Sequence, residues 1–357
     1  MADHPYRSLP DSAYWRRAVA AQGAAVDPLV GDFPRIGRTD KVATAGSCFA
    51  QHVARHLANS GFNYLVTEQA HPIVNADVAR AAGYGTYSAR YGNIYTTLQL
   101  VQLVDRAYAR FQPAEDVWIG PDGKSVVDPF RPTIQPGGFA SEAEMRADRA
   151  QHFGHVREAL ETLNLMIFTL GLTEGWRSKI DGAAYPLCPG VAGGIFDPAA
   201  HEFHNMRTGE VRAQIGTFVE TLRAVNPRAK LILTVSPVPL AASASGNHVL
   251  PATIYSKSAL RAAAQEAAED LENVFYFPSY EIITGPQARG RFFAEDLREV
   301  TEKGVEHVMR VFLRHAAGLE APVREQAVDP AADDFTAGVA WWVETMCDEA
   351  MLDGENA

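Results

Sequence analysis

The chain has 357 residues, 32 Lys and Arg against 43 Asp and Glu, a formal charge of −11 and 47% apolar residues. That composition excludes a disordered or collagen-like chain and supplies enough apolar side chains for a substantial core. Residues 321–357 carry nine acids against Arg324 alone, so the rest of the chain is nearly neutral and has no basic stripe for phosphates; nucleic acid is not an expected partner.

The opening MADHPYRSLP lacks the apolar stretch and cleavage site of a secretory signal, and no apolar run approaches the roughly 20 residues that span a bilayer. The expectation is a cytoplasmic protein with no membrane contact. Cys48, Cys188 and Cys347 are odd in number and widely spaced, so neither a disulfide framework nor a metal site is expected. Without a Gly-x-Gly-x-x-Gly or a Gly-x-x-x-x-Gly-Lys-Ser/Thr pattern, no nucleotide or other cofactor is expected either.

Residues 1–40 mix Pro, Arg and Tyr without a sustained period and read as an arm, with one short helix near 13–22. Lys41–Gly46 is a short apolar strand; Ser47–Ser60 follows with Phe49, Val53, His56 and Leu57 at helical spacing, closed by Gly61. Apolar runs at 62–66, 165–170, 231–235 and 274–277 read as further buried strands. Helical patterns lie between them at 94–111, at 142–163 with a Ser141/Glu144 capping box, at 211–225 and at 258–271. Strands alternating with helices predict an α/β domain over 41–318, a doubly wound, mostly parallel five-stranded sheet of flavodoxin-like order that binds ligands outside the carboxyl edge of its strands.

Two stretches interrupt the alternation. Trp118–Val127, inside an insertion at about 113–140, reads as a hairpin with a Pro-Asp-Gly turn; residues 178–208 read as a long loop rising over the carboxyl edge. After Pro330, Phe335, Val339, Trp342 and Met346 share one helical stripe in the acidic tail 319–357. A helix docked on its own body is the expectation there, with a homo-oligomer contact or a partner protein as the alternative.

Ser47 stands where the first strand turns into the first helix, a corner at which unpaired helix-start N–H groups can stabilise an oxyanion. It is the candidate nucleophile; helix capping is the competing role, and Cys48, one residue into the helix, ranks second. Around this corner the chain resembles the GSCFA-domain family. The resemblance is carried by Gly46-Ser-Cys-Phe-Ala50, Tyr91-Gly-Asn-Ile-Tyr-Thr96, Asp128-Pro-Phe-Arg-Pro132, Thr169-Leu-Gly-Leu-Thr-Glu174, Thr234-Val-Ser-Pro-Val-Pro239, Tyr255-Ser-Lys-Ser258 and Tyr276-Phe-Pro-Ser-Tyr-Glu281. It implies a distant relation to SGNH or GDSL hydrolases and serine O-acyltransferases.

That relation implies roles for further residues. Ser47 matches the nucleophile, and Gly92 and Asn93 can offer a backbone N–H and a side-chain amide to an oxyanion. Thr173 stands in place of an Asn, and Glu174 can orient a histidine or a substrate hydroxyl. Asp296-Leu-Arg-Glu299 occupies the Asp-x-x-His position, so a carboxylate replaces the expected general base, a poor substitute unless burial raises its pKa. Among histidines, His248 in the loop after the fourth strand is the chosen base, with His307 in reserve and His204 a further candidate. Arg131 either binds an anionic ligand group or pairs internally with Asp128 or another acid; Ser236, and Ser256 with Lys257 at the start of a helix, are candidates to line the same edge, with helix capping the favoured role of the last two. These residues imply an esterase or O-acyltransferase acting on an O-acetyl or similar group of a sugar-like or small hydroxylated substrate. The alternative is a ligand-binding or assembly protein that kept the fold without the chemistry.

Overall fold

A computed structural model of the chain describes residues 4–318 and Met351; the stripe from Phe335 to Met346 lies outside the described residues. In the N-terminal arm the expected helix is replaced by short 3-10 turns and a single π-type turn at Arg16–Ala20. The first strand, β1 (Val42–Gly46), is buried on both faces, as a strand between two helical layers must be. It leads through Ser47 into α1 (Cys48–Asn59). After the short α2 (Ala76–Ala81), Thr96 caps α3 (Thr97–Ala107) in a reciprocal capping box with Gln99. The hairpin expected at 118–127 forms as β2 (Trp118–Ile119) and β3 (Val126–Val127). Ser141 caps α4 (Glu142–Thr162), accepting the Glu144 N–H as the sequence suggests, and β4 (Leu165–Leu170) follows.

Residues 178–208 are more ordered than a loop. Together with the preceding residues they form a three-stranded antiparallel sheet of β5 (Glu174–Ser178), β6 (Ala184–Tyr185) and β7 (His201–Asn205), with Trp176 paired to both Tyr185 and Phe203. The chain then runs through α5 (Thr208–Val225), β8 (Lys230–Val235), α6 (Val249–Asp270), β9 (Val274–Tyr276) and α7 (Ser279–Thr284) to α8 (Glu302–Ala317).

The central sheet is parallel, in the order β1-β4-β8-β9. Its side chains alternate between two cores. Met166, Phe168 and Leu170 pack with α3, α4, α5 and α6, while Leu165 and Ile167 pack with α1, α7 and α8. The architecture is therefore doubly wound α/β, with four strands where five are expected.

The missing strand has a physical replacement. Residues 62–66 make a single bridge, Tyr64 to Val42, with the Val42 N–H donating to Asn63 O and the Leu65 N–H to Val42 O. Beyond it, β1's outer edge is satisfied by other groups: the Thr44 N–H donates to Ser88 Oγ, Tyr91 OH donates to Thr44 O, and the Ile94 N–H donates to Gly46 O. An edge covered in this way needs no further strand. The arrangement lays residues 91–96 along β1 and brings them to Ser47.

Candidate active site

The corner begins with a glycine that nothing else can replace. Gly46 has φ +137°, and a Cβ on it would lie 2.3 Å from Thr169 O of β4. Ser47 follows in extended geometry (φ −72°, ψ 178°), its N–H donating to Thr169 O at 3.2 Å. Its side chain does not cap α1. Ser47 is only 4% exposed, and its Oγ has no hydrogen-bond partner among the described residues.

Ser47 lines a small cavity at the carboxyl edge of the sheet, formed with Tyr95, Gly171, Ser236, Lys257 and an apolar wall from Val238 to Leu240. These residues come from distant parts of the chain and are tied to one another. Tyr95 O accepts the N–H groups of Gly171 (3.0 Å) and Leu172 (3.1 Å). A Cβ on Gly171 would lie 3.2 Å from Ser47 Cβ and 3.0 Å from Tyr95 O, so a side chain there would press on both unless they gave by a few tenths of an ångström. Lys257, buried in α6 at 2% exposure, donates from Nζ to Gly171 O at 2.6 Å, and its neighbour Ser256 accepts the Thr173 N–H at 2.9 Å. None of the chain's eleven histidines lines this cavity.

A family model for the GSCFA family matches residues 41–312. The chain belongs to the GSCFA family. A solved structure similar to this GSCFA protein, a crystal structure of an acetyl esterase mutant with acetate ion, has 10% identity and a TM-score of 0.30, and the match covers 84% of this chain and 100% of that one. No curated protein matches the chain.

The GSCFA-motif residues named from sequence divide between this cavity and other duties. Ser47, Cys48 and Ser236 line it; Ser236 Oγ also accepts the Val238 N–H at 3.3 Å. Asn93 is buried and accepts from Gln51 Nε2 at 3.1 Å, and it lines a different cavity with Tyr91, Arg106 and Phe130. Gly92 has φ +71° and serves the turn ahead of it; Tyr95 is the residue of this motif that reaches the serine. Thr173 is sealed, its hydroxyl donating to Asn205 Oδ1 at 2.6 Å. Glu174 accepts from Ser243 Oγ at 2.8 Å rather than from any histidine, and burial raises its carboxyl above the usual range.

The candidate bases lie elsewhere. His248 is exposed and is the N-cap of α6, Nδ1 accepting the Leu250 N–H at 3.2 Å, because α6 starts at Val249 rather than Ser258. His307 stacks on Phe292 with ring centroids 5.4 Å apart; burial, and then the charge of Arg310, lowers its pKa. His204 pairs with Glu210 at 3.0 Å. Asp296 and Glu299 are exposed in the turn before α8, where Asp296 Oδ1 accepts the N–H groups of Arg298 and Glu299. Arg131 holds Asp128 at 3.0 Å and Asp148 at 2.8 Å, both internal acids, which leaves no face for a ligand.

Lys257 lines the cavity, an edge position that sequence reasoning ranks below helix capping. It was placed at a helix start, as a capping residue, but α6 begins eight residues earlier and puts it on the buried stripe with Leu260 and Ala264. A lysine at i−3 and i−7 from apolar residues of a buried face was the available signal. Among the described residues no group of three or more His, Cys, Asp or Glu side chains is placed to hold a metal ion, and no helix is long and apolar enough to cross a membrane.

Proposed function

We propose that the chain hydrolyses or transfers a short acyl ester group through Ser47, on a sugar-like or other hydroxylated substrate. The observation that carries this reading is the Ser47 hydroxyl. A serine at a helix N-cap ordinarily accepts a backbone N–H, and a buried polar atom without a partner requires a reason. A nucleophile kept clear of competing bonds supplies one.

The position suits acyl chemistry in two further respects. Ser47 precedes the first turn of α1, whose N–H groups and positive dipole end favour the negative charge that develops on an attacked carbonyl oxygen. Since Ser47's own N–H is engaged with Thr169 O, that charge falls to the first-turn amides. The cavity is small and walled by Val238, Pro239 and Leu240, which favours an acetyl-sized group over a long chain.

A second reading is favoured by the near-complete burial of Ser47 and the absence of a histidine, among the described residues, from the cavity lining: a protein that holds a ligand here without reacting with it. Labelling with a small fluorophosphonate separates the two. The enzyme reading expects one covalent adduct, on Ser47, absent from the Ser47→Ala variant, and faster turnover of acetyl than of octanoyl esters of p-nitrophenol. An unlabelled protein with no esterase activity would leave the holding role.

A further inference from the structure

An acyl-transfer serine needs a group to take its proton, and the histidines proposed from sequence are all engaged away from the cavity. We infer that Lys257 is that group. The inference rests on the reading of Ser47 as nucleophile. Lys257 is the basic side chain among the residues that line the Ser47 cavity, and the two are anchored on one residue: Lys257 Nζ donates to Gly171 O at 2.6 Å, while the Gly171 α-carbon faces Ser47 Cβ so closely that a methyl group there would sit 3.2 Å from it. Lysine amines in dry surroundings serve as general bases because burial disfavours their charged form.

The step balances without a cofactor. The neutral amine of Lys257 takes the Oγ proton as Oγ bonds to the acyl carbon, and the ester C–O bond then breaks. The departing alkoxide takes the proton from the Lys257 ammonium. Water, or an acceptor hydroxyl, next attacks the acyl-serine and gives its proton to Lys257; the Oγ–acyl bond breaks and the proton returns to Oγ. The hydrogen bond to Gly171 O orients the amine through one N–H.

A purely structural Lys257, tethering Gly171 to α6, makes a different forecast. Lys257→Arg keeps a donor for Gly171 O but cannot lose its proton, and Lys257→Met keeps the length without the amine. The measurements are the rate of fluorophosphonate adduct formation on Ser47 from pH 5 to 10 in wild type and both variants, alongside circular dichroism. With Lys257 as base, the wild-type rate rises with pH through a single deprotonation to a plateau. Both variants then label about 100-fold or more slowly and lose that limb, as expected for removal of a general base. Wild-type rates of labelling in a folded Arg variant would overturn the assignment while leaving Ser47 as nucleophile. Should neither variant fold, the wild-type profile still decides: a pH-independent rate would refute the base. A wild-type protein that never labels on Ser47 removes both readings together.

Discussion

Replacing Ser47 with alanine should leave the protein as stable as before, or more so. An N-cap serine changed to alanine ordinarily costs about 0.5–2 kcal/mol, because its oxygen accepts an N–H of the first helical turn. Ser47 makes no such bond, and its extended backbone is one that alanine adopts freely. Its hydroxyl is instead buried without a partner, a condition with a penalty of about 1–3 kcal/mol for a neutral group. Removing the oxygen relieves part of that penalty and leaves a void of only one atom, so the net change expected is between zero and about 1.5 kcal/mol of added stability. Urea unfolding followed by circular dichroism gives the answer as a shift in midpoint at unchanged slope. A variant that gains stability while losing all covalent labelling would show the exchange expected where a site is shaped for chemistry rather than for folding. Destabilisation beyond about 1 kcal/mol would refute the reasoning, for it would mean that Oγ caps α1 and that the residue is structural.

Gly46→Ala and Gly92→Ala both place a side chain at positive φ, but only at Gly46 does the new Cβ meet backbone, 2.3 Å from Thr169 O, with open space around Gly92. The Gly92 change is expected to cost about 1–2 kcal/mol and the Gly46 change several more, read as urea midpoints; equal losses would contradict the close approach of β1 to β4. Arg131→Met leaves Asp128 and Asp148 short of a cation in a buried network and should destabilise by about 3–5 kcal/mol, whereas a loss under 1 kcal/mol would place Arg131 outside the framework. His152 is fully buried; burial, and then the charge of Arg131, lowers its pKa from 6.5 to about 4 against the pull of Glu68. Between those values the unfolded chain binds a proton that the folded one does not, so stability is fully present above 6.5 and falls as pH drops towards 4. The urea midpoint should fall across that window in wild type and less steeply in His152→Gln, and identical slopes would refute the assignment.

The strands of the sheet were legible in the sequence because each is short, apolar and bounded by polar or glycine residues, and a strand between two helical layers leaves little else for such a run to be. The capping box at Ser141 and the hairpin at Trp118 were equally local, and both formed. What failed depended on tertiary partners. The run at 62–66 has strand character, but Ser88 and Tyr91 satisfy β1's edge before it can pair further, and no period in 62–66 encodes that. The start of α6 was hidden by Pro251, which reads as loop but lies in the first helical turn, where a missing N–H goes unnoticed. That one error moved Lys257 from a buried face to a helix end and made His248 a loop residue. Loop position, the criterion applied to the histidines, carries no information about this cavity, whose basic lining side chain among the described residues is Lys257.

Two polar regions of the molecule are built differently. Around Asp128, Arg131 and Arg149 the charges interlock: Arg149 holds both Asp128 and Asp116, Arg131 bridges Asp128 to Asp148, and Arg90 donates to Asp148. Each bond answers another, and such a network fixes a fold without needing a ligand. At the carboxyl ends of β1 and β4 the pattern reverses. Ser47 Oγ and, beside Gly46 in the register, Thr169 Oγ1 are buried without partners, and Gln51 Oε1 of α1 is likewise unmatched. The same corner requires Gly46, and it packs tightly around Gly171, where three backbones come together. Local rules of polar satisfaction are broken in proteins where function requires it. By that measure the Asp-Pro-Phe-Arg-Pro segment is framework, and the β1–α1 corner is the place at which the proposed chemistry is to be tested.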